Sequence, residues 1–233
     1  MPFFYYGMDR TYILVIIGFI ISMIAQAQVQ GAFRKYSQVK TKKAVTGLEV
    51  ARYIMDTRGY DDIKIKTVNT PMGDYFNPAT KEVALSPTSR DDSSIASVAV
   101  AAHELGHVIQ YKEGYRPLQI KSWLVPAVNF GSMLSFPILL IGMYLSKPNL
   151  VTIGLYLFAL TLLFQIVTLP VEFNASRRAL AILEQSGMLV GEENDLAANM
   201  LRAAAYTYVA ATITTALQLL RLFLLFGDRN SRD

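Results

Sequence analysis

In the stretch AAHELGHVIQY, His103 and His107 stand four residues apart with Glu104 beside the first of them. On a helix that spacing puts both imidazoles on one face. Two such rings can bind one tetrahedral Zn²⁺ and leave its other positions to a further protein ligand and to water. Glu104 lies about 100° round the helix from His103, so it need not be a ligand. It is placed to act as general base on a zinc-bound water and to hand the proton to a leaving amine, which is the chemistry of peptide hydrolysis. Gly106 costs about 1 kcal/mol in a helix relative to Ala, and its missing side chain would let another element approach beside the second ligand. The competing reading is a chance match in an alanine-rich helix. Two histidines at this spacing with Glu in the required slot arise by chance roughly once in several thousand trials, although short motifs do misfire.

The chain contains two histidines and no cysteine. Disulfides, thiolate metal sites and a cysteine nucleophile are thereby excluded, and a third zinc ligand has to be a carboxylate. Glu172 in LPVEFNASRRA is the best candidate, and Ser176, four residues on, could hydrogen-bond a ligand histidine from the same helix face. The alternative for Glu172 is an ordinary interfacial carboxylate at a helix N-terminus. A peptidase also needs a donor for the developing oxyanion. Tyr111, Arg177, Arg178 and Tyr208 are the options, but the arginines also suit interfacial anchors and Tyr208 an interfacial belt, so none is assigned.

The elements that must position these residues are largely apolar. The 233-residue chain is 52% hydrophobic with a mean hydropathy of +0.31, too apolar for an ordinary soluble domain. Four segments meet the roughly 20-residue requirement for crossing a bilayer: 11–29, 123–145, 150–170 and 204–226. The second and third form a helical hairpin around the turn Ser146-Lys147-Pro148-Asn149. The fourth has Arg221 near enough to its end to snorkel. The first span could be read as a signal peptide ending at Ala25-Gln26-Ala27. The run Arg34, Lys35, Lys40, Lys42 and Lys43 directly after it instead marks a retained anchor with a cytoplasmic flank. Residues 30–122 hold 14 Lys/Arg whereas the hairpin turn holds only Lys147. The soluble portions 30–122 and 171–203 are therefore expected in the cytoplasm with both termini outside. The net charge of +4 fits this bias, and no basic patch with interleaved aromatics points to nucleic acid.

Residues 30–122 read as a small α/β unit. A helix is predicted over 46–60 with a stop at Gly59, a strand over 63–68 and a hairpin over 74–86 turning at Asn77-Pro78. Ser93 or Ser94 then caps the motif helix, which packs through Val98, Ala102 and Ile109 and ends at Gly114. A separate helix is expected over 171–187. The fold class is thus a mainly α membrane protein of about four transmembrane helices with a small α/β cytoplasmic portion, in one membrane-embedded domain over 1–233. The motif helix leads into the second span and the third returns with Glu172, so the hairpin would bring the ligands to one membrane face. The hairpin strand at 80–86 could take an extended peptide along its edge, or be purely structural.

HELGHVIQ followed by EFNASRRA resembles the gluzincin plan, in which a glutamate on a later helix completes a zinc site. More closely, GDYFNPATKEVALS, SVAVAAHELGHVIQ, GYRPL, LPVEFNASRRAL and AAAYTYVAA, in that order, resemble the neutral zinc metallopeptidase family of bacterial membrane proteins (YugP-like) over nearly the whole length. The resemblance implies a zincin-like catalytic portion, Zn²⁺ on His103, His107 and Glu172, and Glu104 as base. It also implies residence in the bacterial inner membrane and peptide or membrane-protein substrates. A more distant likeness is to the HtpX and CAAX prenyl proteases, whose E-x-x-A-D helix matches Glu172, Ala175 and Ser176 with Ser in place of Asp. Tyr75-Phe76-Asn77-Pro78 departs from the family's His-Tyr-Asp-Pro run, and Asn174 stands where Asp is commoner. Neither change touches the ligands or the base. Two rival functions are a zinc-binding membrane scaffold that holds peptides without cleaving them, and a small transporter using Asn129, Gln165 and Gln218. Glu104 counts against the first, because metal binding alone needs no carboxylate there. The second lacks a charged residue deep in a span.

Overall fold

A computed structural model describes residues 9–226; the chain termini, expected outside the cell, fall beyond the described residues. The elements run α1 (Tyr12–Ser37), α2 (Gly47–Arg58), β1 (Lys64–Thr67), β2 (Tyr75–Asn77), β3 (Glu82–Leu85), α3 (Pro87–Asp91), α4 (Ile95–Lys112), α5 (Arg116–Tyr144), α6 (Pro148–Gln185) and α7 (Glu193–Phe226). They form two compact units. One comprises residues 27–119 and 170–206, the other residues 9–26, 120–169 and 207–226. Helices α6 and α7 contribute to both, since their 38 and 34 residues exceed the roughly 20 that a bilayer requires. The separate helix expected over 171–187 is the continuation of α6 through Pro170.

In the first unit, local sequence sets the element ends. Thr46 and Glu49 form a reciprocal capping box at the start of α2, and Gly59 closes it in the left-handed conformation with φ of 63°, which glycine adopts without strain. Asn77 opens the β2–β3 turn by accepting from the amides of Ala79 and Thr80 at 2.9 and 3.4 Å, a side-chain mimic of a backbone turn. The sheet order is β1-β3-β2, with β1 parallel and β2 antiparallel to β3. Being central, β3 has no open edge, so the edge expected at 80–86 is not available for peptide addition; β1 and β2 are the outer strands. Ser94 caps α4 by accepting from Ser97 N–H. Residues 39–41 strap across that start, with Ile95 N–H donating to Val39 and Thr41 N–H to Ser93, both at 2.8 Å.

Helix α4 is the centre of this unit. The sequence suggested a single packing face, but Ile95, Val98, Ala99, Ala101, Ala102, Leu105, Val108 and Ile109 are all essentially inaccessible. Val50, Ala51 and Ile54 of α2, Val83 and Leu85 of β3, Ala179 and Leu183 of α6, and Met200 and Leu201 of α7 belong to the same core. A helix enclosed on all sides needs no polar face, which explains its alanine-rich composition.

In the second unit, the segments of α1, α5, α6 and α7 are long and apolar enough to cross a membrane. Their outward residues include Phe19, Trp123, Phe136 and Tyr156, each more than 60% exposed, a surface suited to lipid rather than water. Thr214 of α7 donates to the Gly18 carbonyl of α1 at 3.0 Å, and its hydroxyl also lies 2.9 Å from that of Ser22. Such small-residue contacts let membrane helices approach closely. Arg221 reaches Asp9 at 3.9 Å and stacks over Tyr12.

Candidate metal centre

The site is built where α4 meets the later half of α6. A Cβ on Gly106 would stand 2.5 Å from the carbonyl oxygen of Ala175, so the absence of a side chain is what allows the two backbones this close. Glu172 precedes Ala175 by almost one turn and therefore projects from the same side of α6. Its Oε2 lies 3.3 Å from Nε2 of His103 and 3.5 Å from Nε2 of His107. The imidazoles meet edge to face, with centroids 4.8 Å apart and planes at 85°, and the three ligand atoms lie within 4.8 Å of one another. Ligands about 2.0–2.1 Å from a tetrahedral Zn²⁺ are separated by roughly 3.3 Å. Both nitrogen–oxygen separations fit that spacing, and two imidazoles with one carboxylate are a donor set this ion uses.

The outer ring nitrogens are held as well. His103 Nδ1 lies 3.1 Å from Ser176 Oγ, the contact expected from the four-residue spacing after Glu172. His107 Nδ1 lies 3.0 Å from Oε1 of Gln110. Each Nε2 is thus left to face Glu172, an orientation that outer hydrogen bonds give to metal-binding histidines.

Glu104, Glu172 and His107 are all under 10% exposed. Burial pushes the Glu104 carboxyl upward; the neighbouring imidazoles oppose this, and Glu172 and Asp74 add to it. Burial depresses His107, but its hydrogen bond to Glu172 and the charges of Glu172 and Glu104 outweigh this and raise it overall. Two carboxylates therefore converge on two imidazoles, a field that favours a cation.

Sequence reasoning missed Gln110, whose signal was its place one turn after His107. It also missed Asp74, which accepts from Ser86 N–H at 2.7 Å and Ser89 Oγ–H at 2.9 Å and acts on Glu104 through space. Among the oxyanion options, Tyr111 packs on Phe76 with centroids 5.7 Å apart, and Arg178 is engaged by Asn174 and Glu113. Arg177 is exposed, and Tyr208 belongs to the apolar unit.

No solved structure is significantly similar to the chain. A curated relative from Bacillus subtilis (strain 168), "Putative membrane protease YugP", is 38% identical over 213 residues, which cover 91% of this chain and 94% of the relative. The family described as "Putative neutral zinc metallopeptidase" matches residues 11–227, a span that includes both helices of the His/His/Glu cluster. The chain belongs to that zinc metallopeptidase family.

Proposed function

We propose that the chain is a membrane-integrated zinc metalloendopeptidase of the gluzincin plan, with its active site facing the cytoplasm and peptide segments near the inner membrane surface as substrates. The observation that carries the reading is the convergence of His103 Nε2, His107 Nε2 and Glu172 Oε2 with Glu104 buried in the intervening turn. When bound, Zn²⁺ supplies Lewis acidity to the scissile carbonyl and to water. His103, His107 and Glu172 would hold the ion. Glu104 takes the proton from the attacking water and passes it to the nitrogen of the breaking peptide bond. Burial raises its carboxyl above the ordinary carboxylate range, which strengthens it as a proton acceptor. The outer strand β2, Tyr75–Asn77, would align an extended chain by backbone hydrogen bonding.

The test is digestion of casein and of membrane-protein fragments by the purified full-length protein, wild type against Glu104→Gln. The variant is expected to retain zinc and lose about 10²–10⁴-fold in rate. Equal cleavage by both proteins, or none by either under any metal condition, would reject the peptidase reading in favour of a non-cleaving scaffold. In parallel, Glu172→Ala should lose bound zinc; full zinc retention with full activity would remove Glu172 from the ligand set.

A further inference from the structure

We infer that Gln110 is a positioning residue that locks His107 in the tautomer a metal ligand requires, and that Asn174 and Arg178 lock Gln110 in turn. The inference rests on the metal-site reading above. It starts from Arg178, whose guanidinium only donates. Its Nε–H donates to Oδ1 of Asn174 at 2.7 Å, and its other end donates to Glu113 at 2.5 Å. The atom of Asn174 that faces Arg178 is therefore the oxygen.

That same oxygen faces Gln110, which has no solvent exposure. The Gln110 amide nitrogen donates to the Val171 carbonyl at 2.8 Å and to Asn174 Oδ1 at 3.0 Å. Both hydrogens of the amide are thus used on oxygens. Flipping it would press the Gln110 oxygen against two acceptors, the buried Val171 carbonyl and the partly buried Asn174 Oδ1, and take the Gln110 donor away from both. An amide's orientation is assigned from such a network, and here the network allows one answer.

Oε1 of Gln110 is then the atom 3.0 Å from His107 Nδ1, and it can only accept. A neutral His107 must carry its hydrogen on Nδ1, which leaves the Nε2 lone pair directed toward Glu172. His103 has no such constraint, because the Ser176 hydroxyl can donate or accept. The two ligands are therefore not equivalent: His107 is preset, while His103 adapts to its partner. The chain Arg178–Asn174–Gln110–His107 crosses from α6 to α4, so the same bonds that fix the tautomer also tie the two ligand helices together.

The test uses the full-length protein in detergent, stripped of metal with a chelator and labelled with ¹⁵N in its histidine rings. With two histidines in the chain, ring-nitrogen correlation spectra report both tautomers, and His103→Asn assigns them. Wherever the spectra show His107 with a single ring hydrogen, that hydrogen should sit on Nδ1. A single ring hydrogen on Nε2 of His107 in the wild type overturns the inference, whether or not the protein binds zinc. Gln110→Met preserves side-chain length but removes both donor and acceptor. It should mix the tautomers and weaken Zn²⁺ binding, measured by competition with a chromogenic chelator, about 10–100-fold. Asn174→Asp keeps an oxygen facing both donors and should bind within about threefold of wild type, whereas Asn174→Leu should behave like Gln110→Met. An unchanged tautomer with unchanged affinity in Gln110→Met overturns the inference. If that variant does not fold, the wild-type tautomer and the Asn174 pair decide. The expected tautomer in a wild type that takes up no zinc supports the lock and rejects the metal reading.

Discussion

Gly106 sets two opposing effects against each other at one position. Alanine is favoured over glycine in a helix by about 1 kcal/mol, but the added Cβ would meet the Ala175 carbonyl oxygen at 2.5 Å and its carbon at 3.0 Å. Both are backbone atoms, so α6 itself must shift, at about 1–3 kcal/mol for overpacking. The clash is therefore expected to win. Gly106→Ala should lower the thermal midpoint and weaken zinc binding at least tenfold, roughly the scale of losing an outer partner of a ligand, because Glu172 moves with α6. Gly31 in α1 is the matched control, since nothing lies within 4 Å of a Cβ built there. Gly31→Ala should be neutral or stabilising by about 0.5–1 kcal/mol. Calorimetry and chelator competition on the pair read both effects, and a Gly106→Ala protein as stable and as tightly zinc-binding as wild type would refute the close-approach argument.

Among the elements, α4 and the sheet show what periodicity can and cannot convey. The motif helix, its serine cap and the hairpin turn at Asn77 were legible because each depends on side chains within a few residues of one another. The all-round burial of α4 was not, because alanine at position after position carries no phase from which a packing face can be read. Nor was the continuity of α6 through Pro170, since a proline beside a change from apolar to polar composition reads as a boundary. Ligand identity could be narrowed by elimination to a carboxylate, yet the bond from Gln110 to α6 depends on tertiary placement that no local pattern encodes. Outside the core, Asp62 joins the loop before β1 to α4 through Lys112 and to the β2–β3 turn through Lys81. Those hydrogen bonds bring its carboxyl down to about 2. A carboxylate whose pKa is depressed by folding stabilises above its unfolded value, and that contribution fades as pH falls through the folded value. The stability advantage of wild type over Asp62→Asn should therefore be present above about pH 4 and vanish toward pH 2. It should also shrink in salt, because the group is exposed. A difference that does not vary with pH would show that the lysines do not stabilise the folded carboxylate.

For the whole molecule, orientation carries the mechanistic weight, since it decides which peptides can reach the site. Four helices are long and apolar enough to cross a membrane, and an even number of crossings would return the chain to the side on which it began. The basic residues then choose the side: residues 30–122 carry 14 Lys/Arg against the single Lys147 between α5 and α6. Positive charge is retained on the cytoplasmic side of a bacterial membrane, so the proposed orientation has Thr80 of the β2–β3 turn inside and Asn149 at the start of α6 outside. Both residues are exposed, and the chain has no cysteine of its own, so a single introduced thiol reports one location without background. With a membrane-impermeant maleimide, Asn149→Cys should label on intact cells, whereas Thr80→Cys should label only after permeabilisation. The reverse pattern would move the catalytic portion, and with it the substrate pool, to the outer face. Labelling of both thiols from the same side would instead contradict the crossing of α5 and α6, on which the route from His107 to Glu172 depends.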